Sequence, residues 1–318
     1  MISFWMIVAA IAPVFLVIAA GWAARHAGWL TPEADGSLLR LVMNLLYPAL
    51  ILHYTLGNDA LNQADNLVLP PLVGFFTVVL GFGLVWVLSP YFRIKQPVER
   101  RTFAFTTGLY NYGYIPIPLV ELLFRDRDTA GVLLVHNVGV EVAFWTVGIL
   151  LVSGSWNRES LKKLINPTVI ALIIGVTLNL THLGKEVPMA LRNGIAMISA
   201  CAIPIGLMLT GATLCELTKD SSFKRDLRLP LTAILLRIGI LPVLFLLLAK
   251  FLPCSEELRR VIVIQAAMPA AMLPVVVARH YGGDASCAVK VVMATTLVSL
   301  ITIPLWLSLG LRLIFPGS

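Results

Sequence analysis

Charged residues are scarce in this sequence: only 13% of the 318 residues are Asp, Glu, Lys or Arg, whereas 58% are hydrophobic. Soluble domains carry about 25% charged residues. This chain therefore has too little polar side-chain surface to cover a water-soluble globule. The composition indicates that lipid is its solvent, and it excludes an ordinary soluble enzyme.

Catalytic, metal and cofactor signatures are also missing. The sequence contains no Walker loop, which disfavours an ATP-driven pump, and neither Gly-x-Ser-x-Gly nor His-Glu-x-x-His occurs. The four cysteines form no Cys-x-x-Cys pair that would indicate a metal or disulfide framework. The net charge is +7, but no basic run is interleaved with aromatic residues. We therefore expect no enzymatic activity, no cofactor, no metal and no nucleic-acid partner.

Long apolar runs fill most of the chain. A membrane-spanning helix needs about 20 mostly apolar residues, and charged residues interrupt this sequence at about that interval. The prediction is an all-α integral membrane protein with ten spans: Phe4–Ala24, Leu38–Leu56, Leu67–Pro90, Thr102–Leu122, Ala130–Val152, Pro167–Leu183, Gly194–Leu214, Leu229–Phe251, Val261–His280 and Ala288–Leu309.

The distribution of positive charge predicts the orientation of these spans. The first 24 residues carry no charged side chain, whereas a cleaved signal peptide needs a basic start, so they are predicted to remain as span one. The larger share of the 24 Lys and Arg residues falls in the odd-numbered loops, which predicts that these loops face the cytoplasm. Both termini then lie on the outer side of the cytoplasmic (inner) membrane.

Features of the first half recur in the second half, displaced by roughly half the chain length. The matching pairs are Pro48 with Pro204, Pro71 with Pro230, Pro116 with Pro274 and Asp128 with Asp284. Each half, 1–155 and 156–318, contains five predicted spans, and an odd number of spans inserts the halves in opposite orientations. Inverted repeats of this kind are typical of secondary transporters.

Spans four and nine both carry residues that interrupt helices. Span four contains Asn111, two glycines and two prolines between residues 106 and 118, and span nine contains two prolines between residues 265 and 274. A proline removes an amide donor and crowds the carbonyl four residues back. Broken backbone persists at membrane depth only where protein buries it or where it lines a wet cavity. The alternative is a pair of proline kinks in packed helices.

Two half-helix N-termini that meet inside the membrane would present partial positive charge and N–H groups to a carboxylate. The sequence thus predicts a substrate site formed by Asn111, Gly113, Tyr114, Pro116, Pro118, Gln265, Pro269 and Pro274.

A second group of polar residues lies within spans five and eight, namely His136, Asn137, Glu141 and Arg237. An ionisable side chain at mid-membrane is costly, so it usually faces a cavity or a partner. Glu141 is interpreted either as a proton-coupling group or as a structural residue that forms a hydrogen bond or pairs with Arg237. Arg237 would otherwise serve as the counter-charge of a substrate anion, and His136 and Asn137 would line the cavity of Glu141.

Five segments together resemble the auxin efflux carrier family, which includes plant PIN-formed auxin exporters and bacterial dicarboxylate permeases. In chain order they are 44–51, 111–119, 166–167, 209–214 and 269–284. The chain departs from the family at Pro116, where a small residue is common, and it lacks the long cytoplasmic loop of the plant exporters. Glu141 matches no family motif.

The resemblance implies a scaffold of spans one, two, six and seven that often dimerises. Spans three to five and eight to ten would form a transport domain in which spans four and nine cross, with elevator-like motion against the scaffold. It also implies a small organic anion as substrate. A proton, through Glu141, or sodium, by similarity to sodium–bile acid symporters, would be the coupling ion. A sodium-coupled symporter of the bile-acid type and a membrane sensor that transports nothing remain alternatives.

Overall fold

The backbone is helical almost throughout the ranges described by the computed structural model, which are 4–124, 126–155, 162–218 and 227–315. The helices, in chain order, are α1 Phe4–His26, α2 Pro32–Thr55, α3 Asp65–Phe92, α4 Pro97–Gly108, α5 Pro116–Phe124, α6 Arg127–Ser153, α7 Pro167–Leu180, α8 Met189–Glu216, α9 Arg228–Phe251, α10 Glu256–Ala266, α11 Leu273–His280 and α12 Ala285–Ile314. No strand forms within these ranges. Outside the helices, Tyr110 and Ala270 form an isolated antiparallel β-bridge.

Seven of these helices, α1, α2, α3, α6, α8, α9 and α12, are long and apolar enough to cross a membrane. The prediction of an all-α membrane protein is therefore confirmed at this level. Helix α7 has 14 residues, fewer than the roughly 20 that span a bilayer. The two remaining predicted spans are each divided into half-length helices, α4 with α5 and α10 with α11. The predicted boundary between the two repeats, 1–155 and 156–318, falls beside residues 156–161, which lie outside the described ranges.

Polar side chains cap the N-termini of several helices. The side chains of Asp126, Asn166, Ser255 and Asp284 each accept a hydrogen bond from the backbone N–H three residues on. Such a bond satisfies one of the N–H groups that a helix start leaves unpaired. Helix α2 begins at Pro32, earlier than the predicted span, because its first turns lie outside the apolar run.

The helices pack in two groups. Helix α1 packs along α8, and α2 packs against α7 and α8. In the other group α3 packs against α4 and α6, α9 against α10 and α12, and α12 against α4. Close approach within each group depends on small residues, as is common in membrane helix pairs. A Cβ atom at Gly211 would lie 1.8 Å from the Ile18 carbonyl oxygen, and one at Gly139 would lie 1.7 Å from the Pro71 carbonyl oxygen.

We expect Gly139→Ala to destabilise the fold, because its methyl group would collide with the backbone of α3 and force α6 away. Overpacking of this kind costs about 1–3 kcal/mol. The matched control is Gly83→Ala on α3, where an added Cβ has no neighbour within 4 Å. Thermal unfolding in detergent should show a lower midpoint for Gly139→Ala and an unchanged or slightly higher one for Gly83→Ala. Equal midpoints would contradict the close α3–α6 contact.

Candidate functional site

The two helix interruptions, residues 109–115 and 267–272, lie against each other as antiparallel extended segments. The backbone N–H of Asn111 donates to the Pro269 carbonyl at 2.8 Å, and that of Ala271 donates to the Leu109 carbonyl at 3.0 Å. Each interruption thus supplies hydrogen-bond partners for polar backbone of the other. This pairing explains how two non-helical segments can be buried where no water is present to satisfy them.

Side chains from neighbouring helices bind further backbone groups of the interruptions. The Tyr112 carbonyl accepts from the Asn137 amide at 2.7 Å, with the Gln265 amide nitrogen at 3.5 Å. The backbone N–H of Ala270 donates to the Thr295 hydroxyl at 3.2 Å. Helices α6, α10 and α12 therefore all hold the crossing in place.

Asn111 lies at the centre of the first interruption and is only 7% exposed. Its side-chain oxygen is 3.4 Å from the N–H nitrogen of Gly113 and 3.5 Å from that of Ile115. These distances lie beyond the usual hydrogen-bond range of about 2.7–3.2 Å. The amide therefore caps the start of α5 only loosely and keeps bonding capacity for a ligand.

The prolines of span four mark the start of α5, as predicted, but they reduce the number of donors there. Pro116 is the first residue of α5, and neither Pro116 nor Pro118 has an N–H group. The N–H of Ile117 already donates to the Gly113 carbonyl at 3.1 Å. The helix end keeps its positive electrostatic potential, but it offers a ligand fewer amide groups than the sequence suggested.

An aromatic contact joins the first interruption to α2 and α8. The Tyr47 and Tyr114 rings meet edge to face with centroids 6.3 Å apart. A Cβ atom at Gly113 would lie 2.9 Å from the Tyr47 hydroxyl, and one at Gly206 would lie 2.1 Å from the Tyr114 ring. Because Gly113 and Gly206 have no side chain, Tyr47 of α2 and Tyr114 of the first interruption fit between the two helix groups.

The second interruption resembles the first but contains fewer polar side chains. Gln265, near the end of α10, is 1% exposed, and its side-chain oxygen has no hydrogen-bond partner within the described chain. Pro269 contributes its carbonyl to the crossing, and Pro274 is the second residue of α11. The unpaired Gln265 oxygen is thus a buried acceptor without a donor, a state that is costly for a folded protein.

His136 and Asn137 extend a polar network from the crossing into α6. The hydroxyl of Tyr110 lies 2.9 Å from that of Thr77 and 3.5 Å from His136 Nε2. His136 Nδ1 lies 3.4 Å from the Asn137 side-chain oxygen. Of the two residues, Asn137 contacts the backbone of the interruption, whereas His136, which is 1% exposed, contacts its Tyr110 side chain.

Glu141 does not pair with Arg237, which corrects one of the two structural roles considered for it. Its carboxylate accepts a hydrogen bond at 3.0 Å from the side-chain nitrogen of Asn166, the N-cap residue of α7. Glu141 is 7% exposed and lies one helical turn beyond Asn137, on the same face of α6. It therefore connects the helix that holds the crossing to the start of α7.

Arg237 is fully buried and serves the second interruption rather than an open cavity. Its guanidinium donates to the carbonyls of Met268 at 3.0 Å and Gln265 at 3.3 Å. It also lies 5.2 Å from the centroid of the Tyr110 ring and 5.3 Å from that of Phe245. Two carbonyls and two aromatic faces therefore surround its charge, while its Nη1 atom is buried with no hydrogen-bond partner within the described residues.

Sequence reasoning missed three residues that the structure adds to this region. Tyr47 contacts the first interruption from α2, Asn166 binds Glu141, and Thr295 of α12 accepts from the second interruption. The proline after Asn166 marks it as a helix N-cap, but no local pattern indicates its partner. Within the described residues, no group of three or more His, Cys, Asp or Glu side chains is arranged to hold a metal ion.

Several long apolar helices and two paired helix interruptions surrounded by polar side chains define a polytopic α-helical membrane protein of the transporter class. Comparison with known proteins agrees. The model of the family described as "Membrane transport protein", the auxin efflux carrier family, matches residues 6–163 and 157–307. The chain belongs to this family. It is also 25% identical over 303 residues to an "Uncharacterized transporter" of Methanothermobacter thermautotrophicus, covering 92% of this chain and 95% of that protein.

Proposed function

We propose that this protein is a secondary transporter that moves a small organic anion, such as a carboxylate, across the cytoplasmic membrane by elevator-like alternating access. The observation that carries the proposal is the pairing of the two helix interruptions through the Asn111 and Ala271 amides. Interrupted helices that meet within a helical bundle are typical of transporter binding sites. The transport function agrees with the family to which the chain belongs.

The proposed topology has ten crossings in two inverted sets of five. Seven crossings are the long helices, and the eighth is α7. The interrupted pairs, α4 with α5 and α10 with α11, supply the other two. With both termini outside, as the distribution of Lys and Arg favours, α5 and α10 lie in the outer half of the bilayer and α4 and α11 in the inner half. Reporter fusions at both termini test this orientation.

The proposed ligand chemistry follows from the groups around the crossing. The starts of α5 and α11 supply positive potential, the Asn111 amide supplies a donor, and the Gln265 oxygen supplies an acceptor. Since Arg237 is bound by carbonyls and aromatic rings, a substrate carboxylate would be held by dipoles and amides. An anion that also carries an N–H or O–H group can accept from the Asn111 amide and donate to the Gln265 oxygen.

In the proposed movement one packing group slides against the other. Helices α1, α2, α7 and α8 form the stationary scaffold, which also forms a homodimer. Contacts between the groups include Tyr47 with Gly113, Tyr114 with Gly206, and Glu141 with Asn166. These contacts involve aromatic edges and single hydrogen bonds, and no ion pair joins the groups at these three points. Such an interface can slide at modest cost, as alternating access requires.

The test is counterflow of radiolabelled substrate into liposomes that contain the purified protein, after a thermal-shift screen of carboxylates, amino acids and sodium identifies a ligand. We expect a carboxylate to stabilise the protein and to exchange across the membrane. A dependence on sodium would favour sodium-coupled symport, and collapse with a protonophore would favour proton coupling. If ligand binds but no exchange occurs, the protein is a sensor and the transport proposal fails.

We expect Glu141→Gln to change the pH dependence of transport. Glutamine retains a side-chain oxygen that can accept from Asn166, so the variant removes the charge while keeping the contact. A substrate anion near an ionised Glu141 is repelled, which ties anion transport to protonation of this residue. Uptake rates across pH 5–8 should vary less in the variant; a profile identical to that of the wild type would leave Glu141 with a structural role.

A further inference from the structure

A small cavity lies away from the crossing, at the end of the bundle where α2 ends and α6 and α8 begin. Its volume is about 210 Å³. Four polar side chains line it, His53, Arg127, Arg192 and Asn193, together with aliphatic residues of α2 and α8. Two cationic side chains in one cavity repel each other unless an anion lies between them.

Backbone carbonyls position the two guanidinium groups without neutralising them. Arg127 donates to the His53 carbonyl, and Arg192 donates to the carbonyls of Gly184 and Val187, the latter at 3.3 Å. Within the described ranges, neither arginine forms an ion pair with a carboxylate. Of the two acidic residues that flank Arg127 in the chain, Asp126 pairs with Arg260 at 2.8 Å instead.

The backbone adds positive potential to these charges. Arg127 is the first residue of α6, and Met189, Arg192 and Asn193 belong to the first turns of α8. The cavity therefore receives the N-terminal ends of α6 and α8, which favour anions and especially phosphate groups, against the single C-terminal end of α2. Guanidinium groups match the geometry of phosphate oxygens better than ammonium groups do.

The remaining walls are aliphatic and belong to the ends of helices that are long and apolar enough to cross a membrane. Leu52, Leu56 and Ile195 line the cavity beside the arginines. We propose that this cavity binds the phosphodiester headgroup of an anionic phospholipid, with the arginines on the phosphate and the acyl chains along the aliphatic wall. Basic pockets between membrane helices bind anionic lipid headgroups, and the proposed topology places this cavity at the outer surface, where α2 ends and α6 and α8 begin.

The site also joins the two packing groups, since His53 and Arg192 belong to α2 and α8 whereas Arg127 belongs to α6. A bound headgroup would therefore hold α6 against α2 and α8. It follows that the lipid should stabilise the protein thermally. This expectation depends on the cavity alone and does not depend on the identity of the transported substrate.

The experiment measures thermal unfolding and lipid retention by native mass spectrometry for purified full-length protein in detergent. The probes are phosphatidylglycerol, phosphatidylcholine and inorganic phosphate. We expect phosphatidylglycerol to raise the unfolding midpoint and to be retained more than phosphatidylcholine. Each of Arg127→Gln and Arg192→Gln should weaken retention about fivefold, since one basic residue contributes about 1 kcal/mol to anionic-lipid binding.

Two further variants keep this test decisive. Asn193→Asp adds a negative charge to the cavity without removing an arginine hydrogen bond, so it should abolish the lipid effect even if the arginine variants fold poorly. Arg312→Gln removes an exposed positive charge at the end of α12, outside the cavity, and should change nothing. Equal losses in Arg312→Gln and Asn193→Asp would overturn the site, and stabilisation by inorganic phosphate with no lipid preference would overturn the lipid as its ligand.

Discussion

Asn111→Ala should lose substrate binding while still inserting into the membrane. The side-chain amide lies at the centre of the crossing and holds the start of α5 only at 3.4–3.5 Å, so its removal costs little stability. A lost hydrogen bond to a charged ligand group weakens binding by about 1.5–3 kcal/mol, or about tenfold to a hundredfold. Because ligand stabilisation grows with the logarithm of ligand concentration over Kd, the substrate concentration that gives a fixed thermal shift should rise by that factor. Counterflow at subsaturating substrate should fall accordingly.

Two comparisons make the Asn111 result specific. Asn111→Asp keeps the shape of the side chain but places a negative charge where the substrate anion binds, so it should impair binding more than alanine does. Asn44→Ala removes an exposed asparagine on α2, whose amide caps the Arg40 carbonyl at 2.8 Å, and should leave transport unchanged. Wild-type binding by Asn111→Ala would rule out the crossing as the substrate site.

Arg237→Met should be the most destabilising of the substitutions considered. Methionine fills most of the volume, but it leaves the buried Met268 carbonyl without its side-chain donor, and the Gln265 carbonyl keeps only backbone donors such as the Met268 N–H at 3.2 Å. Leaving a buried acceptor unpaired costs about 1–3 kcal/mol, and losing the cation–π contacts with the Tyr110 and Phe245 rings adds about 1–2 kcal/mol. The loss would also release the second interruption, so transport should disappear together with stability.

The unfolding midpoint in detergent is the measurement for Arg237, with Arg237→Lys as the graded comparison. Lysine keeps one charge and can reach one carbonyl, but it cannot donate to both with fixed geometry, so its midpoint should fall between those of the wild type and Arg237→Met. A midpoint of Arg237→Met close to that of the wild type would show that the two carbonyls find other donors. It would then contradict the role assigned to the arginine.

The prolines indicated the positions of the interruptions closely. The predicted breaks between residues 106 and 118 and between residues 265 and 274 contain the observed ones, 109–115 and 267–272. The reason is local: a proline cannot donate to the preceding turn, so the helix resumes at or beside it, as at Pro116 and Pro274. The predicted substrate residues of both breaks do lie at or beside the crossing, and their binding role remains a prediction.

The partners of the polar residues were not predictable in the same way. Glu141 binds Asn166 rather than Arg237, and Arg237 binds the backbone of the second interruption. Arg237 lies in a π-helical stretch, Ile234–Ile240, where one extra residue in the turn rotates the side chains that follow. A regular helical wheel cannot anticipate that rotation, so the direction in which Arg237 points was hidden from the sequence.

What the sequence determined by itself was the solvent and the local backbone: scarce charge and long apolar runs require a bilayer, and clustered Pro and Gly interrupt two of the helices. Only the tertiary structure decided that the Asn111 and Pro269 segments pair, that Arg237 closes the second interruption, and that Arg127 and Arg192 share a cavity. The reason is physical. Solvent preference and helix propensity are properties of nearby residues, whereas hydrogen bonds between residues far apart in the chain, such as Arg237 and Met268 at 31 positions, depend on how helices pack.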